Sequence, residues 1–285
     1  MSKKVLETQE IGAYYKQVRE KRGYTLSDVA MSSSYLDKSQ LSRFESGENM
    51  LSADRFLAAI NGLNMTASEF VALMSIEPSQ YCVFNKKIRA YVMVGDIEGL
   101  KTLIKPNARL KMEKIFNILA KSAILDISQE NLITTAEKKF LEKYLLSIPQ
   151  WTFFEVKILG RCLEILDDDE IYDLGQDMLA SQELSQIIAF NGKIVKKTAI
   201  NLYVYLIFKG YYIRAERIEK EINKLLTEWD IEEKISLHIF KKFAQYKKEK
   251  NSELLKEVQS DIDMLKKLGA TGMANRFAME IEKYC

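Results

Sequence analysis

The sequence predicts an all-α protein in two parts, a small five-helix head and a larger stack of helical hairpins, and three observations lead there. Only 3 prolines and 12 glycines interrupt 285 residues. Leu, Lys, Glu, Ile and Ala, which favour helices, dominate the composition. Apolar residues recur at three- and four-residue spacing in block after block, separated by short polar or glycine-bearing breaks. A chain of this length accommodates one small module and one substantial domain, each with its own core. The expected boundaries are a head over 1–72, a linker over 73–80 and a helical domain over 81–285, because Pro78 in SIEPSQ opposes a helix running through the residue before it.

Composition excludes several function classes. The formal net charge is only +2, and the first 75 residues carry nine basic and nine acidic side chains. That segment is no generic polyanion-binding tail, so any nucleic-acid affinity has to come from local geometry and a second copy. Cys82, Cys162 and Cys285 lack metal-ligand spacing, and His238 is the only histidine. They read as cytosolic thiols, and neither a metal nor a cofactor is expected. The start, MSKKVLETQEIG, lacks a signal-peptide stretch, and no segment offers the ~18 uncharged apolar residues of a membrane span. A cytoplasmic protein without membrane association is expected. With no glycine-rich phosphate loop, CxxC or triad signature, an enzyme is not.

The head is legible helix by helix. IGAYYKQVREKRG places Ile11, Tyr14 or Tyr15 and Val18 on one face and stops at Gly23, a residue suited to a left-handed C-cap. Thr25 with Asp28 forms a capping-box pattern opening a short helix with Leu26, Val29 and Ala30. After the turn at Ser32 to Ser34, Asp37 and Gln40 repeat the N-cap spacing and introduce SQLSRFESG, with Leu41 and Phe44 inward and Ser39, Gln40, Ser42 and Arg43 outward. Ser52 opens a fourth helix carrying Phe56, Leu57 and Ile60, and Thr66 with Glu69 caps a fifth ending in Phe70, Val71 and Leu73.

That order, and above all LSRFESGE from Leu41 to Glu48, resembles the five-helix DNA-binding domain of phage-repressor-like (XRE-type) regulators. In a helix-turn-helix, one helix enters the major groove and presents its N-terminal side chains to base edges. The resemblance puts Ser39, Gln40 and Arg43 at base-reading positions, where glutamine suits adenine and arginine suits guanine. Lys38, Ser42, Asn49, Ser52 and Arg55 fall where helix ends approach phosphates, with a solvated surface role as the alternative for each. Arg19 and Glu45 occupy the family's internal ion-pair positions, so a structural role is expected for them. Leu26 stands where the family carries a glutamine, which removes one phosphate contact, and the turn before the third helix is one residue longer. The alternative for this module is a protein-interaction domain, against which the LSRFESG stretch stands.

Beyond the linker, eleven apolar blocks have helical spacing: 83–94, 97–104, 112–127, 136–146, 153–166, 171–179, 184–208, 213–229, 231–248, 254–268 and 273–284. Three joints look alike: MVGDIEGLKTL from Met93, FKGYYIRAERI from Phe208 and KLGATGMANRF from Lys267. They resemble the tetratricopeptide joint, in which a small residue closes one helix and an alanine, here Ala215 or Ala274, lets the next pack closely. The repeats are degenerate, and the implied architecture is a right-handed stack with a concave face able to hold an extended peptide. Together with SQLSRFESGE from Ser39 and the aromatic WTFFEVKIL from Trp151, these features resemble the Rgg-type transcriptional regulators, relatives of peptide-pheromone sensors of Gram-positive bacteria. The resemblance implies a homodimer that binds double-stranded promoter DNA through paired heads and takes up a short linear peptide in the helical domain.

An extended peptide needs partners for its backbone amides and carbonyls, so asparagines and arginines on apolar helical faces are the candidates. Asn201 in TAINLYVYLIF, with Tyr205 four residues on, and Arg161 in ILGRCLEIL lead, followed by Arg89 and Asn191. The alternatives are that Asn201 bonds a neighbouring helix and that Arg161 pairs with the acidic run Asp167 to Asp169. That run, DDDE, suits a helix N-terminus rather than a metal, and His238 reads as structural. A competing function is a DNA-binding regulator whose helical domain serves only as a dimer scaffold or binds a protein.

Overall fold

The computed structural model describes residues 8–74, 79–181 and 183–282; residues 75–78 of the expected linker, Pro78 among them, and Cys285 lie outside them. All regular secondary structure among the described residues is helical. The chain divides into two compact units, Met1–Ser79 and Gln80–Cys285.

The first unit contains α1 (Thr8–Lys21), α2 (Leu26–Met31), α3 (Lys38–Glu45), α4 (Ala53–Asn61) and α5 (Ala67–Leu73). Local chemistry sets most of their starts. Thr25 with Asp28 and Thr66 with Glu69 form reciprocal capping boxes, and Asp37 accepts from the backbone N–H groups of Ser39 and Gln40. Each satisfies donors the helix leaves free. Ser52 is the N-cap of α4 but makes no capping hydrogen bond; its side chain bonds Asp54 instead. The glycine of LSRFESGE has a backbone role: Gly47, at φ +78°, closes α3 in the left-handed conformation. Tyr15, Leu41, Phe44, Ile60 and Phe70 centre the core. Leu57, Val71 and Leu73, read as apolar faces, are exposed instead.

One close approach defines this unit. A Cβ on Gly12 would lie 1.9 Å from the carbonyl oxygen of Phe44, so α1 and α3 can pack backbone to backbone only because position 12 lacks a side chain.

The second unit contains α6 (Gln80–Val94), α7 (Ile97–Lys101), α8 (Lys111–Ser128), α9 (Thr135–Leu146), α10 (Phe153–Arg161) and α11 (Asp168–Ala180). It continues with α12 (Glu183–Ile187), α13 (Ala189–Phe208), α14 (Tyr212–Leu225), α15 (Ile231–Glu249), α16 (Ser252–Lys267) and α17 (Thr271–Glu282). Successive helices pack on one another, α13 on α14, α15 on α16 and α16 on α17, while α13 also meets α10 and α15. This is a stack of hairpins. The three joint glycines, Gly95, Gly210 and Gly269, all have positive φ, and Ala215 and Ala274 are buried.

Four blocks differ from expectation, one of them 213–229, whose helix ends at Leu225. The helix expected over 97–104 ends at Lys101, and that expected over 153–166 ends at Arg161, where Cys162 is the C-cap. The block 184–208 is two helices, broken at Ile188 in an extended conformation. Periodicity could not show this break because the residues around it are apolar without being buried: Ile187, Ile188 and Phe190 are all exposed.

Candidate functional site

In the head, α3 presents Lys38, Ser39, Ser42 and Arg43 to solvent with Gln40 half-buried. Asp37 Oδ1 accepts from Ser39 N (2.6 Å), Ser39 Oγ (2.7 Å) and Gln40 N (3.1 Å). These bonds, led by the Ser39 hydroxyl, hold the Asp37 carboxyl below its ordinary range. Ser39 therefore spends its hydroxyl proton on the cap and keeps only lone pairs to offer, whereas Gln40 keeps both its side-chain donor and acceptor. Asn49, Ser52 and Arg55 are also exposed.

Behind this face lies a buried clamp. Arg19 donates from Nε to Glu45 Oε1 (2.6 Å) and from Nη2 to Glu45 Oε2 (2.7 Å), and its Nη1 reaches the carbonyl of Tyr24 (2.7 Å). Both residues are 7% exposed, and Glu45 raises the pKa of the Arg19 guanidinium further above its already high value. The fork-on-carboxylate geometry ties the end of α3 to α1 and to the chain entering α2. Beside it, Tyr15 donates to the carbonyl of Ala59 (3.0 Å).

In the helical unit, the peptide candidates part company. Arg161, at the end of α10, donates from Nη2 to Asn85 Oδ1 of α6 (3.2 Å). The acidic run is engaged elsewhere: Asp167 with Lys138, Asp168 with the hydroxyls of Tyr205 (2.6 Å) and Tyr211 (2.8 Å), and Asp169 with Arg214. The expected alternative for Arg161 is thereby replaced by Asn85. Asn201 is exposed on α13 with Tyr205 half-buried one turn on, and Arg89 is exposed on α6. Asn191 behaves differently. It is 3% exposed, its Nδ2 donates to Ser185 Oγ (3.3 Å), and it packs toward α12 rather than beside Asn201. Ten residues at 3.6 per turn separate the two by about 80° around the helix.

Sequence reasoning missed Lys157 and Lys197. Lys157, on α10, is half-buried, and its ammonium is pushed below the ordinary lysine range by burial and then by Arg161, Lys197 and Arg89. Arg161, Lys197 and Arg89, from α10, α13 and α6, thus lie near Lys157, and the group is tempered by Glu232, whose Oε1 lies 2.6 Å from Lys197 Nζ. Lys157 stands four residues before Arg161 and Lys197 four before Asn201, a spacing that marks the shared faces in retrospect. Such a cluster favours carboxylates and carbonyls.

Other candidates have structural places. Cys162 is buried, which pushes its thiol up to about 12. His238 Nε2 lies 3.3 Å from Asp261 Oδ2, and no metal-binding group of His, Cys, Asp and Glu occurs among the described residues. No described helix is long and apolar enough to cross a membrane. Trp151, in the aromatic segment, is buried and donates from Nε1 to Asp177 Oδ2 (2.7 Å).

Residues 16–70 match the helix-turn-helix family model, and residues 101–279, more than half of the chain, match the C-terminal domain of the HTH-type transcriptional regulator Rgg. Among solved structures, the SHP pheromone receptor Rgg2 of Streptococcus dysgalactiae is 22% identical, with a TM-score of 0.81 over 97% of this chain and 100% of that one. A transcriptional regulator from Listeria monocytogenes EGD-e, so described without its function being settled, is 16% identical, with a TM-score of 0.78 over 98% of each chain. PrgX in complex with cCF10 is 13% identical, with a TM-score of 0.68 over 96% of this chain and 99% of that one. These likenesses show the fold, a helix-turn-helix head with a tetratricopeptide-like helical domain. The chain belongs to the Rgg family of helix-turn-helix transcriptional regulators.

Proposed function

We propose that this regulator works in the cytoplasm as a homodimer, binds double-stranded promoter DNA through two heads, and is controlled by a short linear peptide held on α6, α10 and α13. The observation that carries the peptide reading is the cluster of Arg89, Arg161 and Lys197 around Lys157, with Arg161 held by Asn85 and Asn201 exposed on α13 one turn from Lys197. Four like charges packed together destabilise one another unless an acceptor joins them, and a peptide's carboxylate and carbonyls supply acceptors. A fold shared with a receptor named for its SHP pheromone supports the same reading. Asn201 and Tyr205 serve the peptide backbone, Arg89 and Arg161 its carboxylate. Asn191 acts through packing at the start of α13.

On DNA, Gln40 and Arg43 read bases, and Ser39 accepts from a base or sits beside a phosphate. Lys38, Ser42, Asn49, Ser52 and Arg55 meet phosphates. Gln40→Ala and Arg43→Ala each remove roughly 1–3 kcal/mol of discrimination at one base pair. Uniform weakening on all sequences would reassign them to phosphate. The peptide acts as a switch only if it distinguishes two states of the dimer. Titrating short peptides bearing a free carboxylate while measuring operator affinity and reporter output tests this. Arg161→Ala and Asn201→Ala are expected to abolish the response and leave peptide-free DNA binding intact. If no peptide binds and neither variant changes output, the domain is a scaffold or binds a protein.

A further inference from the structure

A cavity of about 460 Å³ opens where the start of α13 meets α12, the end of α14 and the start of α15. Gly192 shapes it: a Cβ there would come within 2.9 Å of the Ser185 carbonyl oxygen, so its absence lets α12 lie against α13. Lys193, Lys196, Asp230, Glu233 and Trp229 contribute to the lining.

The charges in this cavity are unevenly used. Lys196 Nζ contacts both oxygens of Asp230 (2.9 and 2.7 Å), and Lys193 Nζ lies 3.5 Å from Glu232. The lysines are thus already matched. Glu233 is not: it is 3% exposed, and its Oε1 is buried without a hydrogen-bond partner. A second buried oxygen, Oδ1 of Asn191, is also unpartnered, and the same side chain donates to Ser185, another lining residue. Both unmet atoms are acceptors. Leaving a buried polar atom unmet is costly, and more so for a charged group, so a ligand that answers Glu233 carries N–H donors. Ammonium has three and guanidinium five. Trp229, 83% exposed at the rim, adds an aromatic face that attracts cations. An anion would meet the unmatched Glu233 with both lysines already committed.

We propose that this cavity is a second ligand site, distinct from the cationic cluster on α6, α10 and α13, that takes an ammonium or guanidinium group through Glu233 and Trp229. The terminal torsion of a glutamate is soft, so Oε1 turns toward an entering donor at little cost. The group arrives either on a free amine or on a basic side chain of a polypeptide, and the two sources are separable.

The test uses the full chain, whose two tryptophans are Trp151, buried, and Trp229, exposed. Agmatine and N-acetylarginine amide are titrated separately while emission is followed, with pentanamide as the uncharged control. A saturable change with at least one cationic probe, and none with pentanamide, is expected. Response to agmatine alone assigns the site to free amines, response to the arginine amide alone to polypeptide side chains, and response to both to the shared group. Glu233→Gln is expected to weaken binding about tenfold or more, as loss of a charge-assisted hydrogen bond does. Trp229→Ala, an exposed substitution read by calorimetry, keeps the test open if the Glu233 variant does not fold, and should weaken binding about two- to fivefold. The proposal fails if neither probe gives saturable binding, or if a folded Glu233→Gln chain or, where that variant does not fold, the Trp229→Ala chain binds them as the parent does.

Discussion

The two units treat buried polarity in opposite ways. In the head, Arg19 uses three of its donors on Glu45 and on the carbonyl of Tyr24, and the hydroxyl of Tyr15 meets Ala59. In the helical unit, Tyr172 Oη, Asn191 Oδ1 and Glu233 Oε1 are buried without partners, and these are the side-chain atoms so placed among the described residues. A satisfied network specifies one arrangement, whereas unmet acceptors and crowded cations are stabilised when something binds. The head's buried polar groups are thus fixed by their partners, and these three of the helical unit are not.

The largest effect that would break this contrast comes from the clamp. Glu45→Ala removes the buried carboxylate from the Arg19 guanidinium, leaving it the Tyr24 carbonyl and the exposed Glu20 at 3.6 Å, and should destabilise the head by about 3 kcal/mol, measured as lost hydrogen-exchange protection in α1 and α3. A loss too small to resolve would mean that the pair is not what fixes α3. Next is Gly12→Ala, which drives a Cβ into the carbonyl of Phe44. Overpacking of this kind costs about 1–3 kcal/mol, and denaturant melts of the full chain should show the head unfolding first.

The sharpest pair consists of two tyrosines. Tyr15→Phe removes a bonded hydroxyl and should cost about 1 kcal/mol, whereas Tyr172→Phe removes an unpartnered one and should be neutral or stabilising. Equal destabilisation by both would erase the distinction between the units. The smallest effect is on acidity. Asp28 and Glu69 are held below their ordinary values of 3.8 and 4.5 by the threonines they cap with, Asp28 chiefly through the Thr25 hydroxyl and Glu69 through the Thr66 backbone N–H; the Ser39 hydroxyl does the same for Asp37. Because the folded pKa is the lower one, the stabilisation is complete above those ordinary values and is lost as pH falls through the depressed ones. Carboxyl NMR titrations should therefore show α2, α3 and α5 loosening at their first turns only below about pH 4.

What the sequence made legible followed from how locally each feature is encoded. Thr25, Asp37 and Thr66 announce helix starts within three residues, and Gly95, Gly210 and Gly269 announce joints, because caps and left-handed turns are short-range chemistry. The break at Ile188 gave no such signal, since exposed apolar residues continue the pattern across it. The role of Gly12 was hidden because its partner, Phe44, lies on another helix. For the same reason Arg161 could be singled out as a cation in an apolar run while its setting could not: Asn85 is 76 residues away, and Lys197 approaches only after α10 and α13 pack.

The clamp also bears on how the protein finds its operator. With Arg19 locked inward, one of the head's nine cations is withdrawn from phosphate, and acidic residues match the total. Affinity for arbitrary DNA scales with the phosphates neutralised, so the proposed DNA-binding role predicts a weak grip on random sequence that is only gently sensitive to salt. A genome offers millions of wrong sites for each right one. A reader that adheres little to the background loses little of its population there, and few molecules per cell then suffice to keep a promoter occupied.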